Sequence, residues 1–283
     1  MTDFSQIIHH VPATSSVRAL MQDWLIPKRV QGELRMHEGI QINGRYLPLS
    51  EPVPEDATVT LHYTGVDPTI APVHVPLDIA YEDDQLLAVN KPAGLKTHPN
   101  SADDTDTMIA RIGGYLGRPA FITHRLDMAT SGLLLVAKDP LSQAIINRQL
   151  ATKTAARSYT AFTAPDIPDH GTIDAPIDHM PNDIRRRCVA ATGLPAVTHY
   201  VVQERHTTYA VVHLTLETGR THQIRVHLAH IGFPILGDPL YADTANMDGT
   251  SRMYLHATSM TLTAPFSHRI LTLTSPFKLT PDA

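Results

Sequence analysis

With a single cysteine, Cys188, the chain can form no internal disulfide and no Cys-x-x-Cys zinc site. That absence also disfavours the zinc-dependent nucleobase deaminases, which hold their metal through such ligands. No stretch approaches the roughly 18 consecutive apolar residues of a membrane-spanning helix. The start, MTDFSQIIHHVP, lacks a basic flank followed by an apolar core, so a soluble, cytoplasmic protein with no membrane partner is expected. Excess positive charge is missing too: 23 Lys and Arg stand against 28 Asp and Glu, a formal net charge of −5. Any binding of a polyanion must therefore come from a local patch.

Hydrophobic residues make up 42% of the 283 positions and charged residues 18%, an ordinary balance for a chain that folds. The length exceeds what one small core needs, so a domain of about 200 residues plus a small module is expected. The acidic excess is uneven. Residues 124–230 form the one net-positive stretch, with eleven Lys and Arg against nine Asp and Glu. It contains Arg148, Lys153 and Arg157 in a segment without acids, and then Arg185-Arg186-Arg187. Such a patch can hold phosphate, although a charge run is more often a solvated face.

Near the start, Ser16 precedes Val17, Leu20, Met21, Trp24 and Leu25, an N-cap followed by apolar residues at helical spacing. Pro27 suits the start of a second helix to about Glu38, stopped by Gly39, and Ile40-Gln41-Ile42 leads into the hairpin signal Asn43-Gly44. Val59, Leu61 and Tyr63 alternate as a strand. Residues 1–66 thus read as a small α/β module, joined through Pro68, Pro72 and Pro76 to a second domain over 75–283. In that domain Leu86–Val89, Leu133–Ala137, Tyr159–Thr163, Val197–Gln203 and Val211–Leu216 read as strands. Pro140 suits the start of a helix through Ile146, and Thr221 is a candidate N-cap for one ending at Gly232. Strands without regular helical crossovers point to an α+β fold with a mixed, mostly antiparallel sheet and flanking helices.

Two segments are dense in chemistry. His124-Arg125-Leu126-Asp127-Met128-Ala129-Thr130-Ser131-Gly132 runs straight into an apolar strand, so a carboxylate is held on a loop against a rigid sheet. The plain alternative is that Asp127 caps a turn through Thr130 or Ser131. In Gly219-Arg220-Thr221-His222-Gln223-Ile224-Arg225, Arg225 falls at the border of the apolar stripe formed by Ile224, Leu228 and Ile231. A partly buried guanidinium there calls for a carboxylate partner.

HRLDMATSG followed by an apolar strand resembles the signature loop of the RluA family of RNA pseudouridine synthases. GRTHQIRVHLAHIGFPILGDPLY is similar to that family's third block and LLAVNKPAGLKTHP to its first, a likeness covering about residues 75–283. The resemblance implies isomerisation of uridine in ribosomal or transfer RNA: the glycosidic bond breaks, the uracil turns, and a carbon–carbon bond to ribose replaces it. Asp127 would be the essential carboxylate and Arg225 the guanidinium that keeps it ionised. Tyr159 matches the tyrosine that stacks on the flipped base and helps remove its proton. Arg125 matches the arginine that replaces the displaced nucleotide, and Leu255, in Tyr254-Leu255-His256-Ala257, would wall the uracil pocket. Atoms are conserved and no electrons move, so neither cofactor nor metal is required. The family usually has lysine two residues before the tyrosine, where this chain has Arg157. Lys91-Pro92-Ala93-Gly94 is taken as structural. Residues 1–66 resemble a degenerate S-four-like RNA-binding module without its strongly basic helix face, and a helical cap packed on the neighbouring domain is kept beside that reading.

Two rivals remain. His222, His227 and His230 share a helix, which raises a metal hydrolase, but His222 and His227 would lie about 140° apart around it. A non-catalytic RNA binder on the same fold is the other, and a pure binder has no need of a poised carboxylate. A monomer is the default.

Overall fold

The computed structural model describes residues 2–65, 69–242, 252–276 and 279. Ser16 caps helix α1 (Val17–Asp23), its hydroxyl accepting the Ala19 N–H at 3.0 Å, and α2 (Lys28–Met36) follows with Pro27 as its cap. Strands β2 (Ile40–Ile42) and β3 (Arg45–Tyr46) flank the Asn43-Gly44 turn, where both residues have positive φ. With β1 (Thr2–Val11) and β4 (Ala57–Gly65) they form an antiparallel sheet in the order β1-β4-β2-β3. Strand β1 escapes the sequence reading because Ser5, Gln6, His9 and His10 break its apolar alternation; its pairing with β4 decides the conformation. Val17, Leu20, Met21 and Trp24 pack against Val59 and Leu61 in a core that also takes in Leu141, Ile145 and Phe266 from the larger body. Pro68 of the expected linker lies outside the described residues.

The larger body is built on a ten-stranded sheet. Its central path joins β10 (His170–Asp174), β13 (Val197–Arg205), β14 (Ala210–Leu216), β9 (Ala156–Thr163), β15 (Leu255–Thr263), β8 (Ser131–Ala137), β6 (Leu86–Lys91) and β5 (Ile79–Glu82). Two further strands sit off that path: β16 (Ile270–Thr274) on β15 and β7 (Phe121–Ile122) on β8. Among the described strands the β15–β8 pair alone is parallel; the rest are antiparallel, as the expected mixed α+β fold requires. Strands β6 and β8 are buried along their whole length, which explains their unbroken apolar runs. Helices α3 (Met108–Leu116) and α4 (Pro140–Ala151) pack on the sheet, and Asp139 caps α4 through the Leu141 and Ser142 N–H groups. A separate hairpin, β11 (Ile177–Met180) with β12 (Asp183–Val189), carries the three consecutive arginines. It lies against α5 (Gln223–His230).

Arg148 donates to Ile26 O, Lys153 pairs with Glu217 at 3.1 Å, and half-buried Arg157 reaches Thr218 O. Each of these three cations makes a local contact.

Candidate active site

Asp127 sits in the turn between β7 and β8, its carbonyl accepting the Thr130 N–H at 3.1 Å. The loop is pinned from behind. Thr97 donates its hydroxyl to Leu126 O at 2.7 Å, the Gly94 N–H donates to Met128 O, and Lys91 Nζ donates to Pro92 O, Leu95 O and Met128 O. Lys91 is 1% exposed, and burial pushes its ammonium down to about 8 despite the Asp127 charge nearby. The LysProAlaGly block is thus the floor on which the Asp127 loop rests. Strand β8 begins at Ser131 and Gly132, and only glycine suits the latter: its φ is 108° and a Cβ there would lie 2.3 Å from Ala257 O on β15.

Helix α5 brings Arg225 to the carboxylate. Its Nη1 donates to Asp127 Oδ2 at 3.1 Å, while Nε and Nη2 grip Asp238 at 2.8 Å each. Arg225 is 3% exposed, more deeply buried than its border position on the helix suggested, because Asp238, itself fully buried, supplies the second partner. Asp238 Oδ1 also accepts the N–H groups of Leu240 and Tyr241. The guanidinium is therefore locked by a bidentate pair and turns its remaining edge to Asp127. No described residue donates to Asp127 Oδ1.

The start of α5 differs from the expected Thr221 cap. His222 is the N-cap, with φ 58° and ψ 18°, and no side chain caps the helix there. Gln223 instead turns back, its Oε1 accepting the Arg220 N–H at 2.9 Å. His222 Nε2 lies 3.7 Å from Asp127 Oδ2 and its Nδ1 lies 2.9 Å from the Tyr241 hydroxyl. The other two helix histidines go elsewhere: buried His227 contacts Thr198 Oγ1 and Ala175 O, and His230 lies at the helix end.

All five residues singled out from the sequence line one cavity of about 60 Å³: Arg125, Asp127, Tyr159, Arg225 and Leu255. Tyr159 on β9 is 6% exposed, and burial pushes its phenol up, so the ring is neutral at ordinary pH. Leu255 opens β15, paired with Ala161 of β9. Arg125 stands exposed at the rim, with no hydrogen bond or ion pair among the described residues. Asp238 and Tyr241 were missed, and His222 was weighed only as a metal ligand. Asp238 and Tyr241 lie within the quoted GDPLY end of the third block, but their pairing with Arg225 and His222 depends on how the segment after α5 folds back.

Residues 85–230 match the family model described as RNA pseudouridylate synthase, and residues 4–59 match the RluD ribosomal pseudouridine synthase N-terminal domain. The chain belongs to the RNA pseudouridylate synthase family. Among members of the family, the "Ribosomal large subunit pseudouridine synthase D" of Nitrosomonas europaea is 41% identical over 214 residues. That alignment covers 71% of this chain and 62% of the relative, so the match spans less than two thirds of that protein. The "Uncharacterized RNA pseudouridine synthase YhcT" of Bacillus subtilis is 34% identical over 274 residues, 94% of this chain and 87% of the relative. Among solved structures, "Human RNA Pseudouridylate Synthase Domain Containing 1" superposes with a TM-score of 0.60 at 27% identity, covering 71% of this chain and 84% of that one. Within the synthase fold, the two halves of the site come from blocks 98 residues apart in sequence, joined by the Asp127–Arg225 bond.

Proposed function

We propose that this chain is an RNA pseudouridine synthase that isomerises specific uridines in structured RNA, ribosomal RNA being favoured over transfer RNA by the relatives named for the large ribosomal subunit. The observation that carries this reading is Asp127 held through one oxygen by a guanidinium that Asp238 locks, beside the ring of Tyr159 and the wall of Leu255. A locked guanidinium beside the carboxylate fixes its orientation, as a nucleophile needs. Asp127 Oδ1, free of donors among the described residues, is the oxygen positioned to attack. Tyr159 offers its face to a base taken out of the stack, with Leu255 closing the other side. Because its phenol is held neutral, stacking is the stronger of the roles available to it. Arg125 at the rim replaces the extruded nucleotide or holds a neighbouring phosphate, offsetting the few kcal/mol that flipping costs.

The chemistry calls on no cofactor or metal, since the product is an isomer of the substrate. We place an RNA-binding or capping module at 1–66 and the catalytic domain at 75–283, in a monomeric cytoplasmic enzyme. The described helices include none long and apolar enough to cross a membrane. The test uses RNA from a strain lacking this gene, labelled with tritium on the uracil carbon that becomes bonded to ribose. Metal-free wild type should release tritium, and Asp127→Asn should release none while still binding RNA. No release by folded wild type from ribosomal or transfer RNA would leave the non-catalytic RNA binder as the reading.

A further inference from the structure

Among the residues that line the cavity, His222 alone is a non-glycine residue with a left-handed backbone. Strain of that kind persists where the surrounding contacts hold it in place. The contacts here are specific. The Tyr241 hydroxyl accepts the backbone N–H of Arg187, on hairpin strand β12, at 2.7 Å. Its own proton then goes to His222 Nδ1 at 2.9 Å, the acceptor within reach among the described residues. With Nδ1 accepting, the ring proton sits on Nε2. That nitrogen faces Asp127 Oδ2 at 3.7 Å, just outside hydrogen-bond reach, and Oδ2 is the oxygen already held by Arg225.

We propose that His222 is a positioning residue for Asp127: Tyr241 fixes its tautomer, and its Nε2–H closes onto Oδ2 when RNA fills the cavity. Two donors then clamp one carboxylate oxygen and stop the side chain from rotating, which leaves Oδ1 aimed at the substrate. The inference rests on the synthase reading. Asp127, Arg225, Asp238 and Arg187 face the His222 ring, and Lys91 and Tyr159 face Asp127 from β6 and β9. Burial pushes the His222 imidazole down, so it is neutral near pH 7 with its single ring proton available for this contact. Because Tyr241 is held by β12, the hairpin with Arg185 and Arg186 is tied by hydrogen bonds to the His222 ring.

Single-turnover tritium release at saturating RNA, measured across pH, tests this with four proteins: wild type, His222→Phe, His222→Gln and Tyr241→Phe. His222→Phe should slow the reaction about tenfold or more, the scale of one lost hydrogen bond to a charged group, with the half-saturating RNA concentration unchanged. The acidic limb of its rate profile should move to higher pH, because a carboxylate that loses a donor is harder to ionise. His222→Gln, which keeps an N–H at similar reach, should recover most of the rate and the limb. Tyr241→Phe, lacking only a hydroxyl, should move the limb in the same direction as His222→Phe. An unmoved rate and limb in His222→Phe, or a glutamine variant no better than the phenylalanine one, overturns the inference. Should His222→Phe not fold, an unmoved limb in Tyr241→Phe overturns it equally. A wild type that releases no tritium refutes the synthase reading itself.

Discussion

Asp238→Asn should cost stability far more than Asp127→Asn, although both remove one carboxylate charge from the same arginine. Asp238 is fully buried and takes two guanidinium bonds at 2.8 Å, whereas the Asp127 side chain is 27% exposed and takes one at 3.1 Å. Removing one partner of a buried ion pair costs about 3–5 kcal/mol, because the remaining charge is left uncompensated in a poorly solvated place. Arg225 keeps Asp127 after the change, which favours the lower end, about 3 kcal/mol. In either orientation the new amide NH2 faces the guanidinium, and in one of them the Leu240 and Tyr241 N–H groups as well, so at least one present bond fails. For a folding unit of 150–250 residues, each kcal/mol lowers the melting temperature by roughly 2–4 °C, giving a drop of about 6–12 °C. Asp127→Asn leaves the Asp238 pair in place and should cost under about 1 kcal/mol while abolishing tritium release. Paired thermal melts and release assays at 20 °C read both effects. An Asp238→Asn protein that melts within 2 °C of the wild type would show that this pair does not hold the arginine, and the account of how Asp127 is oriented would fall with it.

His124 gives a second prediction. It is buried, burial pushes its imidazole down to about 3, and its Nε2 accepts the Leu135 N–H, a bond that only the neutral ring makes. Its folded pKa lies below the unfolded value near 6.5, so its contribution is fully present above pH 6.5 and is lost as pH falls towards 3. Between pH 6.5 and 4.5 that loss amounts to roughly 2–3 kcal/mol. Urea midpoints at pH 7 and 4.5 should differ less in His124→Gln than in the wild type, and an equal difference would refute the assignment. Gly132→Ala should be destabilised by at least about 3 kcal/mol or fail to express as soluble protein, since its φ is 108° and the added carbon would lie 2.3 Å from Ala257 O. A soluble Ala variant with an unchanged urea midpoint would contradict the close approach of β8 and β15.

Much of this architecture is legible from local signals. Ser16, Pro140 and Asn43-Gly44 each act through their own backbone or the next turn, so cap, helix start and hairpin fall where the residues indicate. Asp127, Tyr159, Arg225, Arg125 and Leu255 are legible only through the likeness of three blocks; nothing in their spacing reveals that they converge on one cavity. What the sequence hides is pairing across distance. Strand β1 reads as an unpatterned start because half its side chains are polar and its partner β4 lies some fifty residues on. The cap of α5 moves to His222 because Gln223 and Tyr241, rather than Thr221, provide the local contacts. Arg225 is buried deeper than helical periodicity implied because Asp238 lies beneath it, and periodicity knows nothing of a partner outside the helix.

The order of strands also sets when the cavity can be completed. Strand β15 lies between β9 and β8, so the strand that carries Tyr159 and the strand that anchors the Asp127 loop are not paired with each other; each pairs with residues 255–263. During synthesis at about 5–20 residues per second, every other part of the site leaves the ribosome first and waits for this late insertion. Closing such a long-range pairing is slow, and until it happens the pocket has no wall at Leu255. The cavity is therefore completed only after the last strand of the sheet's centre has been made and threaded into place.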